Sequence, residues 1–156
     1  MKKISTLLIL AILFVACKTN TATKLDNKAE VAIKGNWSIF SVTYPGQEVI
    51  KVTSFDVADS QCLVGSNWSF VSNNNKGQMS LTKSNCPAFS SPITWFINKD
   101  GNFVFKILST GEKSKKVKEG YVLKVANQTE NSFQLIDKIN VGGKSTDVVY
   151  QFQKSN

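Results

Sequence analysis

From Gly35 onward the chain alternates apolar and polar residues in short runs, which are separated by clusters of Asn, Gly, Ser, Lys and Pro. This period of two is typical of a β-strand with one buried face. The pattern predicts strands at Asn36–Thr43, Val49–Val57, Ser66–Ser72, Gly77–Thr82, Ile93–Asn98, Asn102–Leu108, Lys116–Ala126, Ser132–Ile139 and Asp147–Lys154. The link Asn98–Gly101 carries an Asp-Gly pair, which favours a hairpin between its two neighbouring strands.

Short antiparallel strands joined by short links predict a meander, and a meander of eight or nine strands loses its exposed edges by closing on itself. The predicted fold class is therefore all-β, an antiparallel up-and-down meander closing into a barrel of about eight strands. The inward faces of these strands are rich in aromatic residues. The rings that would line a pocket, if the barrel holds one, are Trp68, Phe70, Trp95, Phe103, Phe105, Tyr121 and Tyr150.

The first 34 residues follow a different pattern. Lys2 and Lys3 precede an apolar run over residues 7–16. A run of this length with a charged start predicts a secretory leader, because it is too short to span a membrane. Residues 17–34 are rich in Thr, Asn, Lys and Ala and predict a tether, part of which, Asp26–Ile33, favours a short helix over one barrel end. The predicted division is a leader at 1–16, a tether at 17–34 and a barrel domain at 35–156.

The residues Phe14-Val15-Ala16-Cys17 resemble the bacterial lipobox, whose usual form is Leu-(Ala/Ser)-(Gly/Ala)-Cys. The resemblance implies cleavage before Cys17 and attachment of lipid, such as palmitate, to its sulfur and amine. Phe14 departs from the usual leucine. Lys18 after the cysteine, rather than aspartate, resembles the pattern that sends lipoproteins to the outer membrane. The expected location is the bacterial cell envelope, with a lipid anchor in the outer membrane.

If Cys17 carries lipid, two cysteines remain, Cys62 and Cys86. In an oxidising compartment two such cysteines pair most simply as a disulfide. A disulfide that closes the loop between Cys62 and Cys86 would stabilise the fold by about 3 kcal/mol on the chain-entropy account. The alternatives are two free thiols or half of a metal site, although zinc would need histidine or further cysteine ligands that the chain lacks.

The amino-acid composition limits the kinds of catalysis and ligand recognition that the protein can perform. Histidine is absent, so the side chain that most often performs acid–base catalysis near neutral pH is missing. All 19 basic residues are lysine, and without arginine the chain lacks the bidentate fork that favours phosphate and guanine recognition. Asp56 and Asp59 are predicted as turn residues rather than a catalytic pair. The sequence therefore predicts no enzyme, no cofactor, no metal site and no nucleic-acid partner.

Gly35-Asn36-Trp37 opens the first predicted strand, and a Gly-x-Trp motif at this place resembles the lipocalins. The stretch from about Ile33 to Lys154 is similar to the lipocalin-like domain of short bacterial lipoproteins. In that family the tryptophan closes one barrel end, so the resemblance implies a structural role for Gly35 and Trp37. The later lipocalin signatures have no match here. With no arginine in the chain, a lysine such as Lys124 or Lys154 would have to cover Trp37.

Two functions remain open. An eight-stranded barrel is just wide enough either to be filled by side chains or to hold one small ligand. If the aromatic interior lines a pocket, the protein is a lipid-anchored envelope lipoprotein that binds a small apolar or amphipathic molecule. If the interior is filled, the barrel is a structural module whose outer surface meets a protein partner. In both cases the expected partner on the anchor side is the membrane.

Overall fold

The computed structural model describes residues 29–47, 50–109, 111, 113 and 120–155. Residues 29–33 are helical, and 3-10 helices lie at Ser60–Leu63 and Ser72–Asn74. Among the described residues no helix has the length and apolar character needed to cross a membrane. The described strands are β1 (Gly35–Thr43), β2 (Thr53–Ser54), β3 (Ala58–Asp59), β4 (Asn67–Val71), β5 (Lys76–Ser80), β6 (Ser90–Ile97), β7 (Asn102–Ile107), β8 (Tyr121–Ala126), β9 (Ser132–Val141) and β10 (Lys144–Lys154).

Eight of these strands form a closed barrel in the order β1, β10, β9, β8, β7, β6, β5, β4. Neighbouring strands are antiparallel, and β1 closes the barrel by pairing with β10 on one side and β4 on the other. Trp37 on β1 therefore lies opposite both Lys154 and Trp68. Closure leaves no unpaired sheet edge in the wall. The predicted fold class is confirmed.

The hairpin predicted at Asn98–Gly101 is also confirmed. It joins β6 to β7, and the Gly101 N–H donates to the Asn98 carbonyl at 3.0 Å. The Asn98 side chain also accepts from the backbone N–H groups of Asp100 and Asn102. Gly101 has a φ of 77°, which a residue without a side chain adopts without strain.

The run Val49–Val57 differs from its prediction as a barrel strand. Within its described residues, only Thr53 and Ser54 are extended, and they pair with β3 in a separate two-stranded hairpin. The strict alternation fails because Ser54 and Phe55 are buried side by side. A reversal of the chain at Phe55 and Asp56 turns the hairpin across one end of the barrel instead of into its wall. We call the segment Thr53–Asp59 the β2–β3 hairpin.

The barrel has two different ends. At one end, which we call the covered end, residues 29–33 lie across the opening and Ile33 is fully buried. The Glu30 carboxylate accepts from the Ile97 N–H at 3.1 Å, which attaches the helical turn to the end of β6. The opposite end, which we call the loop end, carries the β2–β3 hairpin and the 3-10 helix Ser60–Leu63. The predicted helix over one barrel end is found at residues 29–33, and its earlier residues lie outside the described part of the chain.

The Cys62–Cys86 disulfide is confirmed, with 5.7 Å between the two Cα atoms. Cys62 belongs to the 3-10 helix that follows β3, and Cys86 lies in the link between β5 and β6. A second contact reinforces this connection, because the Lys83 ammonium donates to the Gln61 carbonyl at 2.7 Å. The disulfide therefore connects the long link between β1 and β4 to the link between β5 and β6.

Close strand contact at β5 depends on Gly77. A Cβ atom built at this position would collide with the Ser69 carbonyl oxygen of β4 and lie 2.9 Å from Cγ1 of Ile93 on β6. The backbone oxygen cannot move without disturbing the ladder between β4 and β5. Gly77 thus lets three strands approach where large side chains crowd the interior.

We expect Gly77→Ala to lower the free energy of unfolding by about 2 kcal/mol, because the added methyl group overpacks the wall. Gly120→Ala is the matched control, since a Cβ there meets only ordinary contacts, 3.4 Å or more from Lys106 and Phe105. Urea unfolding followed by circular dichroism measures both changes. Equal stabilities of the two variants would contradict the close approach at Gly77.

Candidate ligand-binding site

The seven predicted rings converge in the barrel interior. They lie on β4, β6, β7, β8 and β10, and each projects to the inward face of its strand. Six of them are 0–3% exposed, and Tyr121, at the loop end, is half-buried. Alternation within each strand therefore located these side chains on the correct face.

The rings contact each other directly. Trp95 stacks on Phe103 with 5.6 Å between ring centroids, and Phe70 meets both edge to face at 5.3 and 5.4 Å. Trp68 meets Phe105 edge to face at 5.7 Å, and Phe105 continues to Tyr121 at 5.1 Å. Offset and edge-to-face pairs of this kind add stability beyond the area that they bury. Six of the seven rings form a connected aromatic core, and Tyr150 joins them through Phe55.

One ring in this core was not found by sequence reasoning. Phe55 comes from the β2–β3 hairpin, not from the wall, and its centroid lies 4.9 Å from Phe105, 5.1 Å from Tyr121, 5.2 Å from Tyr150 and 6.3 Å from Trp68. Only 6% of Phe55 is exposed. No local signal marks this role, because the contacts join residues more than ten positions apart in the sequence. At the loop end the interior is thus filled by a side chain from a loop.

Hydroxyl groups collect at the same end. The Ser54 and Tyr150 hydroxyl oxygens are 2.6 Å apart, and both residues are at most 2% exposed. Tyr44 and Ser60, the first residue of the 3-10 helix, form a second buried hydroxyl pair. The Tyr121 hydroxyl donates to the Asp56 carboxylate at 3.1 Å. The interior is therefore amphipathic, with aromatic rings along its length and hydrogen-bonding groups at the loop end.

Asp137 adds a carboxylate to this end. It follows Phe133 and Leu135 on the inward face of β9 and pairs with the fully buried Val148 of β10. The half-buried Asp137 makes no hydrogen bond or ion pair with any other described residue. Partial removal from water disfavours the charged form and raises its pKa above the usual 3.8.

Tyr150 remains a neutral hydroxyl at physiological pH. Burial raises its pKa well above the usual value, and the nearby charge of Asp137 acts in the same direction. The hydrogen bond to Ser54 opposes this change but does not outweigh burial. Tyr150 can therefore both donate and accept a hydrogen bond inside the barrel.

Asp59 lies at the end of β3 rather than in a turn, and its carboxylate accepts from the Gln61 N–H at 2.9 Å and caps the 3-10 helix. Asp56 lies in the turn of the β2–β3 hairpin. Within the described residues no group of three or more His, Cys, Asp or Glu side chains is placed to hold a metal ion. Cys17, with its predicted lipid, lies outside the described part of the chain.

Trp37 lies at the covered end and is fully buried. Its indole Nε1–H donates to the Ile33 carbonyl at 2.7 Å, and its ring meets Phe133 edge to face at 4.7 Å. The ammonium of Lys154 lies 5.9 Å from the centroid of the Trp37 ring. Of the two lysines expected to cover Trp37, the structure places Lys154 there. Gly35, with a φ of 129°, leads the chain from the helical turn into β1.

An open depression of about 700 Å³ lies outside the barrel at the covered end. Its walls are the helical turn, the link between β8 and β9, and Lys154. None of the seven predicted rings contributes to it. The depression is open, has both apolar and polar side chains in its lining, and is separate from the aromatic core.

No protein-family model and no curated protein matches the chain. Solved structures of bovine odorant-binding protein are similar to it in shape. A complex with a selenium-containing odorant is 11% identical, with a TM-score of 0.45, over 81% of this chain and 73% of that chain. Complexes with the natural ligand and with undecanal are both 13% identical, with TM-scores of 0.45 and 0.44, over 80% of this chain and 72% of theirs. These likenesses identify neither a family nor a ligand for this chain.

The raised pKa of Asp137 leads to a pH-dependent prediction. The folded protein holds this proton more tightly than the unfolded chain does, so the contribution of Asp137 to stability falls as pH rises above 3.8. We expect Asp137→Asn to be more stable than the wild type at pH 7, and the difference to disappear near pH 3. Thermal unfolding across this pH range measures it.

Asp147→Asn provides the matched control, because Asp147 lies on the outer face of β10, 3.9 Å from Lys138. Loss of this exposed ion pair should leave stability at pH 7 unchanged or slightly lower. If Asp137→Asn were less stable than the wild type at pH 7, Asp137 would have a favourable partner and the assignment of its environment would be wrong.

Proposed function

We propose that the protein is a lipid-anchored envelope lipoprotein whose barrel binds a small apolar or amphipathic molecule at the loop end. The observation that carries this proposal is the origin of Phe55. Wall residues fill the interior near the covered end, but at the loop end a ring from a hairpin outside the barrel sheet completes the packing. A space closed by a loop is available to a ligand without any change in the wall.

The surrounding chemistry favours an amphipathic ligand. Phe105 and Trp68 offer aromatic surface for an apolar body, and Tyr150 and Tyr121 offer hydroxyl groups for a polar end. Binding sites for small molecules commonly combine an apolar lining with a few well-placed polar groups. The seven predicted rings remain the proposed lining, and Phe55 covers them at the loop end.

The anchoring part of the proposal rests on the sequence. Residues 1–16 would be removed as a leader, Cys17 would carry lipid, and residues 17–34 would tether the barrel to the outer membrane. The lysine-rich composition, with a formal charge of +8 over the whole chain, is compatible with anionic head groups nearby. The tether would enter the barrel at the covered end, because residues 29–33 lie there. The loop end would then face away from the attachment point.

Binding accounts for the interior better than catalysis. The chain has no histidine. Asp137, the carboxylate on the inward face of β9, has no second titrating group hydrogen-bonded to it among the described residues. An acid–base pair requires two such groups with opposite roles.

A second function is favoured by the outer surface. Phe96, Val104 and Val122 lie opposite one another on β6, β7 and β8 and point outward. Phe96 is 42% exposed and Val122 is 56% exposed, whereas Val104 between them is buried. The two exposed apolar side chains, Phe96 and Val122, suit contact with a protein partner, which would make the barrel an interaction module.

Ligand binding is tested with protein isolated from the envelope and placed in lipid nanodiscs. We expect saturable energy transfer from tryptophan to N-phenyl-1-naphthylamine, an apolar probe, and a small molecule retained in native mass spectrometry. Phe105→Ala should weaken probe binding about tenfold, because it removes the ring against which the apolar body of the ligand would pack. Val122→Ala, on the outer face of the neighbouring strand, should leave it unchanged. No saturable probe signal and no retained molecule would reject the ligand-binding proposal.

The anchor is tested separately by metabolic labelling with a palmitate analogue. We expect the wild type to be labelled and to require detergent for extraction, and Cys17→Ser to lose the label. The double variant Cys62→Ser, Cys86→Ser should keep the label, because its cysteines belong to the disulfide. An unlabelled wild type that is released by salt alone would contradict lipid anchoring.

A further inference from the structure

The turn of the β2–β3 hairpin has an unusual backbone. Its two central residues, Phe55 and Asp56, have φ values of 55° and 54°, and the Val57 N–H closes the turn onto the Ser54 carbonyl at 3.0 Å. Positive φ at both central positions is typical of a type I′ turn, where Asn and Gly are strongly preferred. A phenylalanine there holds its backbone in a strained conformation.

The interior contacts of the ring offset this strain. Phe55 is 94% buried and touches four rings that belong to β4, β7, β8 and β10. Two hydrogen bonds hold the residues on either side, one from Tyr121 to Asp56 and one between Ser54 and Tyr150. Both bonds link the hairpin to inward-facing tyrosines. The hairpin is thus held down by the same side chains that we propose as the ligand lining.

The hairpin is also mechanically separate from the wall. β2 and β3 have two residues each and pair only with each other, so the barrel ladder does not depend on them. Lifting the hairpin would break the two tyrosine contacts and expose Phe55, while the strand pairs of the barrel stay intact. Lifting would also allow the turn to relax its backbone strain.

We propose that the β2–β3 hairpin is a displaceable plug, in which Phe55 occupies the volume that the ligand takes. An aromatic or similarly flat apolar group of the ligand would replace the Phe55 ring against Phe105 and Tyr150. The hydroxyl of Tyr150, released from Ser54, would then be available to a polar group of the ligand. This inference rests on the proposed ligand binding and adds that the plug competes with the ligand for one site.

Competition predicts that removal of the ring strengthens binding. Phe55→Gly suits the test, because glycine favours the type I′ turn and keeps the hairpin geometry. We expect Phe55→Gly to bind N-phenyl-1-naphthylamine about tenfold more tightly than the wild type. In the wild type the probe binds only those molecules whose hairpin has opened, whereas in the variant the site is free without opening. The assay is tryptophan-to-probe energy transfer with the full protein in nanodiscs, with empty nanodiscs as the blank.

Phe133→Ala is the control variant. Phe133 is fully buried at the covered end, where it contacts Trp37 and Phe152. Its removal also opens space, but wall strands enclose this space at the covered end, far from the plug, so probe affinity should stay within about threefold of the wild type. Equal gains in Phe55→Gly and Phe133→Ala would show that any loosened core admits the probe, which would overturn the plug.

Ser54→Ala provides a second variant that keeps every aromatic ring. It removes the hydroxyl that holds Tyr150, so the hairpin should open more often and the probe should bind about fivefold more tightly. If the wild type binds the probe and neither Phe55→Gly nor Ser54→Ala binds it more tightly, the plug is rejected and ligand binding stands. If the wild type and both variants fail to bind it, ligand binding and the plug are rejected together.

Discussion

The contacts of Phe55 with four inward-facing rings join the loop end of the molecule to its wall, and the closure of that end depends on them. Without this ring, Tyr121 and Tyr150 would border an open space above Phe105. The disulfide between Cys62 and Cys86 and the hydroxyl pair of Ser54 and Tyr150 keep the surrounding segments in place. One loop side chain therefore decides whether the barrel interior is closed or accessible at this end.

The two barrel ends are closed in different ways, and the difference supports a division of roles. Trp37 belongs to a wall strand, and its indole is fixed by a backbone carbonyl and a neighbouring phenylalanine. Phe55 belongs to a short hairpin and is held by side-chain hydroxyl and carboxylate groups next to it. Closure at the covered end is thus part of the barrel fold, whereas closure at the loop end can be reversed without unfolding the barrel.

The local sequence pattern predicted the wall of the barrel, but it did not predict how the loop end of the barrel is closed. Trp95, Phe103 and Phe105 were placed inward because strands have a period of two, and the Asp-Gly link at Gly101 marked its hairpin. Phe55 was placed in a wall strand because its run is apolar, although two positive φ values reverse the chain there. That reversal is stabilised by rings distant in sequence, so the residues next to Phe55 in the sequence do not reveal it. Asp137, which has no hydrogen-bond or ion-pair partner within the described part of the chain, was missed similarly, since its surroundings come from other strands.

The central claim, that Phe55 fills the loop end of the interior, is tested most directly by nuclear magnetic resonance of the ligand-free protein. With selectively labelled phenylalanine and tyrosine, nuclear Overhauser effects report ring protons within about 5 Å of each other, the range of close aromatic contact. The structure predicts strong effects from the Phe55 ring to Tyr121, Tyr150 and Phe105. A Phe55 ring with no such effects and with the chemical shifts of an exposed phenylalanine would contradict the account.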